Sequence, residues 1–192
     1  MLQRTYDWTM RQASQPHALW MLAAISFIES SIFPIPPDVL LIPMVLAARA
    51  QAWRIAAVCT VASVAGGFAG YGIGYFLFES IGQAVLNFYG YLDKFEAFKG
   101  LYNEWGAWIV GMAGFTPFPY KVITIASGVT QLDPVVFGIA SAVSRAARFF
   151  LVAALLWKFG PPIRAFIEKH LGKLTLAFFV LLFGGFALLK LL

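Results

Sequence analysis

The chain has 192 residues, of which 60% are hydrophobic, 17% aromatic and 12% charged, and its mean hydropathy is +0.78. Soluble domains carry about 25% charged residues, so this composition argues against a soluble protein and predicts an integral membrane protein. The formal net charge of +5 is not gathered in a Lys/Arg cluster with interleaved aromatic residues, which argues against nucleic acid and favours anionic lipid headgroups as the electrostatic partner.

Residues 1–17 are predicted to form an amphipathic helix at the membrane interface. They mix Arg4, Asp7 and Arg11 with Trp8, whereas a cleaved leader has a basic start, an apolar stretch and a small-residue cleavage site. Apolar stretches then follow at about 18–48, 54–78, 105–130, 134–158 and 173–192. Since about 20 apolar residues cross a bilayer, the second, fourth and fifth stretches are predicted to be full transmembrane helices.

The first and third apolar stretches are interrupted by prolines. The prolines at the interruptions are Pro34, Pro36 and Pro37 in residues 18–48, and Pro117 and Pro119 in residues 105–130. Proline removes a backbone donor and clashes with the preceding turn, so neither stretch continues as one straight helix. The limbs beside the breaks cover only about 16 Å, roughly half of a hydrocarbon core of about 30 Å. Both stretches are therefore predicted to be re-entrant hairpins.

The order of these elements predicts an inverted repeat. Residues 81–104 carry aromatic residues at helical spacing among charged ones and are predicted to form an interfacial helix between the halves. Each half then consists of a hairpin and a span, and the hairpin tips face each other near the midplane. Residues 161–192 are predicted to add a surface segment and a terminal transmembrane helix. The predicted fold class is an all-α integral membrane protein.

Five charged residues are predicted to lie within the membrane: Glu29, Asp38, Lys121, Arg145 and Arg148. An unpaired charge at that depth costs several kcal/mol, so a charge there usually has a partner or a function. One interpretation is structural, with a carboxylate and an arginine holding the hairpins on the bundle. The other is an anion site, in which the arginines bind phosphate as a fork. In the second interpretation, a carboxylate supplies the counter-charge or exchanges a proton.

Gly66, Gly70 and Gly74 follow one another at intervals of four residues. This spacing favours close helix packing over direct ligand contact. The sequence shows no His/Asp/Glu spacing typical of a metal site and no serine in a nucleophile elbow. No metal, cofactor or catalytic residue is therefore predicted, and the chain is not expected to be an enzyme.

The basic residues predict the orientation of the chain. With both hairpins re-entrant and the amino terminus in the cytoplasm, the inner basic residues are Arg4, Arg11, Arg49, Arg54, Lys158, Arg164, Lys169 and Lys173. The outer ones are Lys94, Lys99 and Lys190. Because cytoplasmic loops carry an excess of Lys and Arg, this distribution favours a cytoplasmic amino terminus.

Four motifs in this order resemble the bacterial DedA family, also called the VTT or SNARE-associated domain. They are "ESSIFPIPPD" (29–38), "GGFAGYGIGY" (66–75), "GFTPFPYKVITIASG" (114–128) and "SRAARFF" (144–150). The resemblance covers roughly residues 18–160, and the "TPFPYK" stretch is most similar to the YqaA-type branch. It implies a multi-pass protein of the bacterial inner membrane in which two facing re-entrant hairpins move lipids between leaflets.

The resemblance also implies roles for individual residues. Glu29 matches the essential glutamate of the family, and Asp38 matches the acidic residue after the first break. Many members have arginines on both sides of the second break, whereas here only Lys121 follows it. Arg145 and Arg148 are expected to compensate.

The leading hypothesis is a flippase or scramblase for an anionic lipid phosphate, first undecaprenyl phosphate and next a glycerophospholipid. Other DedA branches are linked to undecaprenyl phosphate recycling and to proton-dependent membrane homeostasis, and eukaryotic relatives to phospholipid scrambling. The alternative from a different class is a non-transporting scaffold that organises the membrane. A lipid-modifying enzyme ranks last because no nucleophile, metal set or general base is arranged for it. Coupling to protons and homo-oligomer formation are left open.

Overall fold

The computed structural model describes residues 17–32, 36–116, 118–160 and 162, and every regular element within them is helical. The first half contains α1 (Ala18–Ser31), α2 (Asp38–Ala47), a 3-10 turn (Arg49–Gln51) and α3 (Ala52–Leu77). A π-helical turn (Phe78–Gly82) and α4 (Gln83–Tyr89) follow α3. The second half contains α5 (Leu92–Phe115), α6 (Tyr120–Val129) and α7 (Pro134–Gly160). The predicted interfacial helix 1–17, apart from His17, and the predicted surface segment and terminal helix 161–192, apart from Pro162, lie outside the described residues.

Two helices in the described part of the chain are long and apolar enough to cross a membrane. One is the unbroken 41-residue helix Arg49–Tyr89, which includes α3 and α4, and the other is the 27-residue helix α7. At 1.5 Å per residue, α7 extends about 40 Å, more than a hydrocarbon core of about 30 Å. The predicted spans 54–78 and 134–158 lie within these two helices.

Both helix breaks lie at the proline clusters. Helix α1 ends where the Ile32 amide donates to the Ile28 carbonyl, and α2 begins directly after Pro37. Likewise, α5 ends before the extended residue Thr116, and α6 begins directly after Pro119. Proline is tolerated at a helix start, where its missing N–H has no intrahelical acceptor. Pro37 and Pro119 therefore begin the second helix of each pair.

Residues 81–104 do not form a separate helix. The chain turns at Gly90, whose φ of 68° lies in the left-handed region, and α5 then continues through the predicted boundary at residue 105 to Phe115. Glycine adopts this conformation without the steric cost that a Cβ adds. Hydrophobic periodicity indicated a helix on both sides of residue 105. It cannot show where one helix ends and the next begins when the hydrophobic pattern continues without interruption.

Helices α1 and α3 run in the same direction. Ser26 Oγ lies 2.9 Å from Cys59 Sγ, and one turn later Ser30 Oγ lies 2.7 Å from Ser63 Oγ. Partner numbers that rise together indicate parallel helices. Helix α2 therefore returns the chain to the end of the bundle at which α1 began.

A parallel pair of helices is also found in the second half. A Cβ added to Gly106 would lie 3.0 Å from Leu132 Cδ2, and one added to Gly114 would lie 3.0 Å from Ser144 Cβ, so α5 runs parallel to the chain that enters α7. Between the halves, Trp53 faces Trp157 while Ser63 binds Arg145. These partner numbers change in opposite senses, so α3 and α7 are antiparallel.

The glycines of α3 allow both broken helix pairs to approach its backbone. A Cβ at Gly66 would lie 2.7 Å from Phe27 Cα of α1, and a Cβ at Gly74 would lie 2.9 Å from the Ile125 carbonyl carbon of α6. Gly70 lies between them, where a Cβ would lie 3.0 Å from the Ser30 carbonyl oxygen. Helix α3 is thus the central element that α1 and α6 share.

Candidate functional site

The two helix breaks lie next to each other. Lys121 Nζ, just after the second break, donates to the carbonyl oxygen of Ile32 at the first break, at 3.1 Å. Thr124 Oγ1 donates to the Ser30 carbonyl at 3.0 Å. The last carbonyls of a helix lack intrahelical donors and carry partial negative charge, so a cation at this position is favourable. The first break is therefore capped by side chains of the second helix pair.

Arg148 connects the two breaks through its guanidinium group. Its Nη2 donates to Asp38 Oδ2 at 2.7 Å, and its Nη1 donates to the Thr116 carbonyl at 2.5 Å. Asp38 is in the first turn of α2, where a carboxylate also interacts favourably with the helix dipole. The two side chains are 19% and 21% exposed. This ion pair is thus accessible from outside the helix bundle.

Arg145, one turn earlier on α7, is enclosed instead. Its Nη2 donates to Glu29 Oε2 at 2.9 Å and its Nε donates to Ser63 Oγ at 2.6 Å. The rings of Tyr120 and Phe149 lie 4.7 and 4.6 Å from the guanidinium carbon, a geometry in which an aromatic face attracts a cation. The Arg145 side chain is only 2% exposed.

Two serines complete a closed ring of hydrogen bonds around this buried ion pair. Ser30 Oγ donates to Glu29 Oε2 at 3.1 Å and lies 2.7 Å from Ser63 Oγ, which accepts from Arg145. Ser30 and Ser63 are both fully buried. Buried polar groups of this kind are expected to have partners, and each of the four residues has two neighbours within the ring.

All five charged residues singled out from the sequence lie around the two breaks. Glu29 pairs with Arg145, Asp38 pairs with Arg148, and Lys121 caps the end of α1. The sequence treated the two arginines alike, because residues three apart share a helix face. The structure separates them, with Arg145 inside the bundle and Arg148 at its accessible side.

Sequence reasoning missed Ser30, Ser63, Tyr120 and Phe149, the residues that surround the buried pair. A signal for the serines was present in the four-residue spacing of Ser26 and Ser30 on α1 and of Cys59 and Ser63 on α3. That spacing marks a polar face on each apolar helix. It could not show that the two faces meet each other.

Long apolar helices, broken helix pairs and ion pairs between apolar helices together define a helical membrane protein. The family model that matches the chain is the VTT domain, over residues 35–158. The chain belongs to this family, the DedA family. Asp38, Lys121, Arg145 and Arg148 lie inside the matched range, and Glu29 lies just before it.

The chain is also similar to two bacterial proteins along most of its length. An uncharacterised protein of Haemophilus influenzae is 40% identical over 167 residues, which cover 85% of this chain and 86% of that protein. An uncharacterised protein of Histophilus somni is 42% identical over 167 residues, which cover 85% and 87% of the two chains. No solved structure matches the chain.

Proposed function

We propose that this protein moves an anionic lipid phosphate between the leaflets of a bacterial inner membrane. The observation that carries this proposal is the accessible Arg148–Asp38 ion pair, which joins the two helix breaks. Within the family we place the chain in the YqaA-like branch, with its amino terminus in the cytoplasm, on the motif and the charge distribution described above.

The directions of the helices support a re-entrant arrangement. Helix α1 is parallel to α3, so the pair α1–α2 returns to its starting side before α3 crosses. At 1.5 Å per residue, the 14 residues of α1 and the 10 residues of α2 extend about 21 and 15 Å. A bilayer core is about 30 Å thick, so we propose that the breaks lie near its centre. Irregular backbone is tolerated at that depth where protein or water covers it.

The chemistry of Arg148 suits a phosphate monoester or diester. Two of its nitrogens are bound to the carboxylate of Asp38 and the carbonyl of Thr116. A phosphate oxygen is an equivalent acceptor, and guanidinium donors match phosphate oxygens in pairs. In this proposal the lipid headgroup replaces Asp38 on Arg148, Lys121 supplies a second positive charge, and the acyl or prenyl chains stay in the bilayer.

The buried pair has a supporting role in this proposal. Arg145 has its Nε and Nη2 bound and two aromatic rings beside its guanidinium carbon, so it contributes positive charge near the phosphate without direct contact in this conformation. Undecaprenyl phosphate is the leading substrate and a glycerophospholipid the next. Proton coupling is part of the proposal, with Glu29 and Asp38 as the candidate carboxylates.

The test is lipid movement in vesicles that contain the purified protein. An added quencher reaches a fluorescent anionic lipid in the outer leaflet at once, and one in the inner leaflet only after that lipid has crossed. The rate of the slow phase of quenching therefore measures transport. We expect a rate above that of empty vesicles, and we expect Arg148→Ala to lose most of it. Arg54→Ala is the matched control, because Arg54 is an exposed arginine near the start of α3, distant in sequence from both breaks.

A second candidate is the non-transporting scaffold. It is favoured by one observation. Both ion pairs are formed between residues of this chain, so four of the five charges are neutralised without a substrate. A scaffold would give the rate of empty vesicles for every lipid tested. That result would overturn the transport proposal.

A further inference from the structure

Ser63 is the fully buried hydroxyl that accepts the Nε–H of Arg145. In a guanidinium group, Nε–H and one N–H of a terminal nitrogen point the same way from one edge of a rigid plane. Because Nε is held by Ser63, the orientation of this edge is set, and the neighbouring Nη2 points to Glu29 Oε2 at 2.9 Å. The position of Ser63 on α3 therefore decides which carboxylate Arg145 faces.

The directions of the hydrogen bonds agree with this role. Ser30 gives its proton to Glu29 Oε2, so Ser63 is the donor in the bond between the two serines. The Ser63 oxygen remains free to accept from Arg145. With these directions each hydroxyl in the ring donates once and accepts once, so both buried donors are paired.

The site contains a second carboxylate that Arg145 does not bind. Asp38 pairs with Arg148, which lies three residues after Arg145 on the same face of α7. If Arg145 were released from Ser63, it would be free to turn toward Asp38 or toward an incoming anion. In the structure Arg145 binds Ser63 and Glu29, and Arg148 binds Asp38.

We infer that Ser63 is a positioning residue, which holds Arg145 on Glu29 and thereby leaves Arg148 as the cation that exchanges Asp38 for the lipid phosphate. This inference rests on the proposed function for its consequence in transport. Its structural part, that Ser63 acts through Arg145, is measurable without any transport.

The transport arm compares three alanine substitutions at the contact between α1 and α3. Ser63→Ala removes the hydroxyl that accepts from Arg145. Ser30→Ala removes the two bonds of the ring that do not involve Arg145, those to Glu29 and to Ser63. Ser26→Ala removes a buried hydroxyl that binds Cys59 one helical turn away. We expect Ser63→Ala to slow lipid movement about tenfold, the size of a lost hydrogen bond to a charged group. Ser30→Ala is expected to slow it less, and Ser26→Ala to leave the rate unchanged per folded molecule. Equal rates for Ser63→Ala and Ser26→Ala would overturn the inference.

The structural arm is a double-mutant cycle on thermal unfolding in detergent. If Ser63 orients Arg145, Glu29→Gln lowers the unfolding midpoint less in a Ser63→Ala background than in the unmodified protein, and equally in a Ser26→Ala background. Should Glu29→Gln fail to fold, Arg145→Lys replaces it, since lysine lacks the Nε donor and keeps the charge. Additive effects of the substitutions would overturn the inference. If the substitutions show non-additive effects on unfolding but neither the unmodified protein nor any variant moves lipid, the role of Ser63 is retained and the proposed function is rejected.

Discussion

Arg145 and Arg148 lie three residues apart on α7 and yet have different surroundings. Arg145 has a side chain that is 2% exposed, with two hydrogen-bonded nitrogens, and Arg148 has one that is 19% exposed. Removing one partner from a buried ion pair leaves an uncompensated charge, whereas an accessible pair is partly solvated. Replacing Arg145 is therefore expected to affect mainly stability, and replacing Arg148 mainly lipid movement.

We predict that Arg145→Ala destabilises the protein by about 3–5 kcal/mol, because Glu29 loses its partner inside the bundle. Arg148→Ala is expected to leave the protein folded and to lose most lipid movement, and Arg148→Lys to recover only part of it because a point charge replaces a fork. Thermal unfolding in detergent and the vesicle assay measure the two effects. Comparable unfolding losses for both alanine variants would contradict the assignment of separate roles.

The carboxylates provide a prediction about proton coupling. Glutamine keeps the shape of glutamate and cannot titrate, so we expect Glu29→Gln to abolish any response of lipid movement to an imposed pH difference. Asp38→Asn is expected to reduce that response less completely. The measurement is the rate of lipid movement with and without the pH difference. A Glu29→Gln protein that responds as the unmodified one does would leave Glu29 as a structural partner of Arg145.

At the scale of the helices, α3 depends on backbone contact with its neighbours. We predict that Gly66→Ala, whose Cβ would overlap the backbone of α1 at Phe27, destabilises the protein by about 1–3 kcal/mol. Gly72→Ala is the matched control on the same helix, because nothing lies within 4 Å of its Cβ position, and it is expected to be neutral or to gain up to about 1 kcal/mol from helix propensity. Unfolding midpoints in detergent measure both. Equal midpoints would show that α1 adjusts freely.

At the scale of the whole molecule, the proposed re-entrant arrangement predicts which loops share a side of the membrane. In a Cys59→Ser background, which removes the one cysteine, we introduce single cysteines by Gln51→Cys, Tyr91→Cys and Gln131→Cys. If the pair α5–α6 is re-entrant, a membrane-impermeant thiol reagent labels the second and third variants from one side and the first from the other. Labelling of Gln131→Cys from the same side as Gln51→Cys would show that the pair crosses the membrane once instead.

Much of this architecture could be predicted from local features. An apolar run needs a bilayer or a core wherever it lies, and a proline interrupts a helix through its own ring, so both breaks were found at Pro36–Pro37 and at Pro119. The charged residues of the site were found for a related reason, since a charge in an apolar stretch stands out by its cost alone. The turn at Gly90 was not found, because glycine permits a left-handed residue without requiring one.

The sequence by itself determined the membrane class, the breaks and the set of five charges, because each follows from the chemistry of a short stretch. Only the tertiary structure decided how the charges combine, since Glu29 and Asp38 lie 116 and 110 residues from the arginines they bind. Both arginines satisfy the same helical spacing, and Arg145 is enclosed because Ser63 and Tyr120 approach it from other helices, while Phe149 covers it from the next turn of α7. Such an environment depends on how helices pack, which no local pattern specifies.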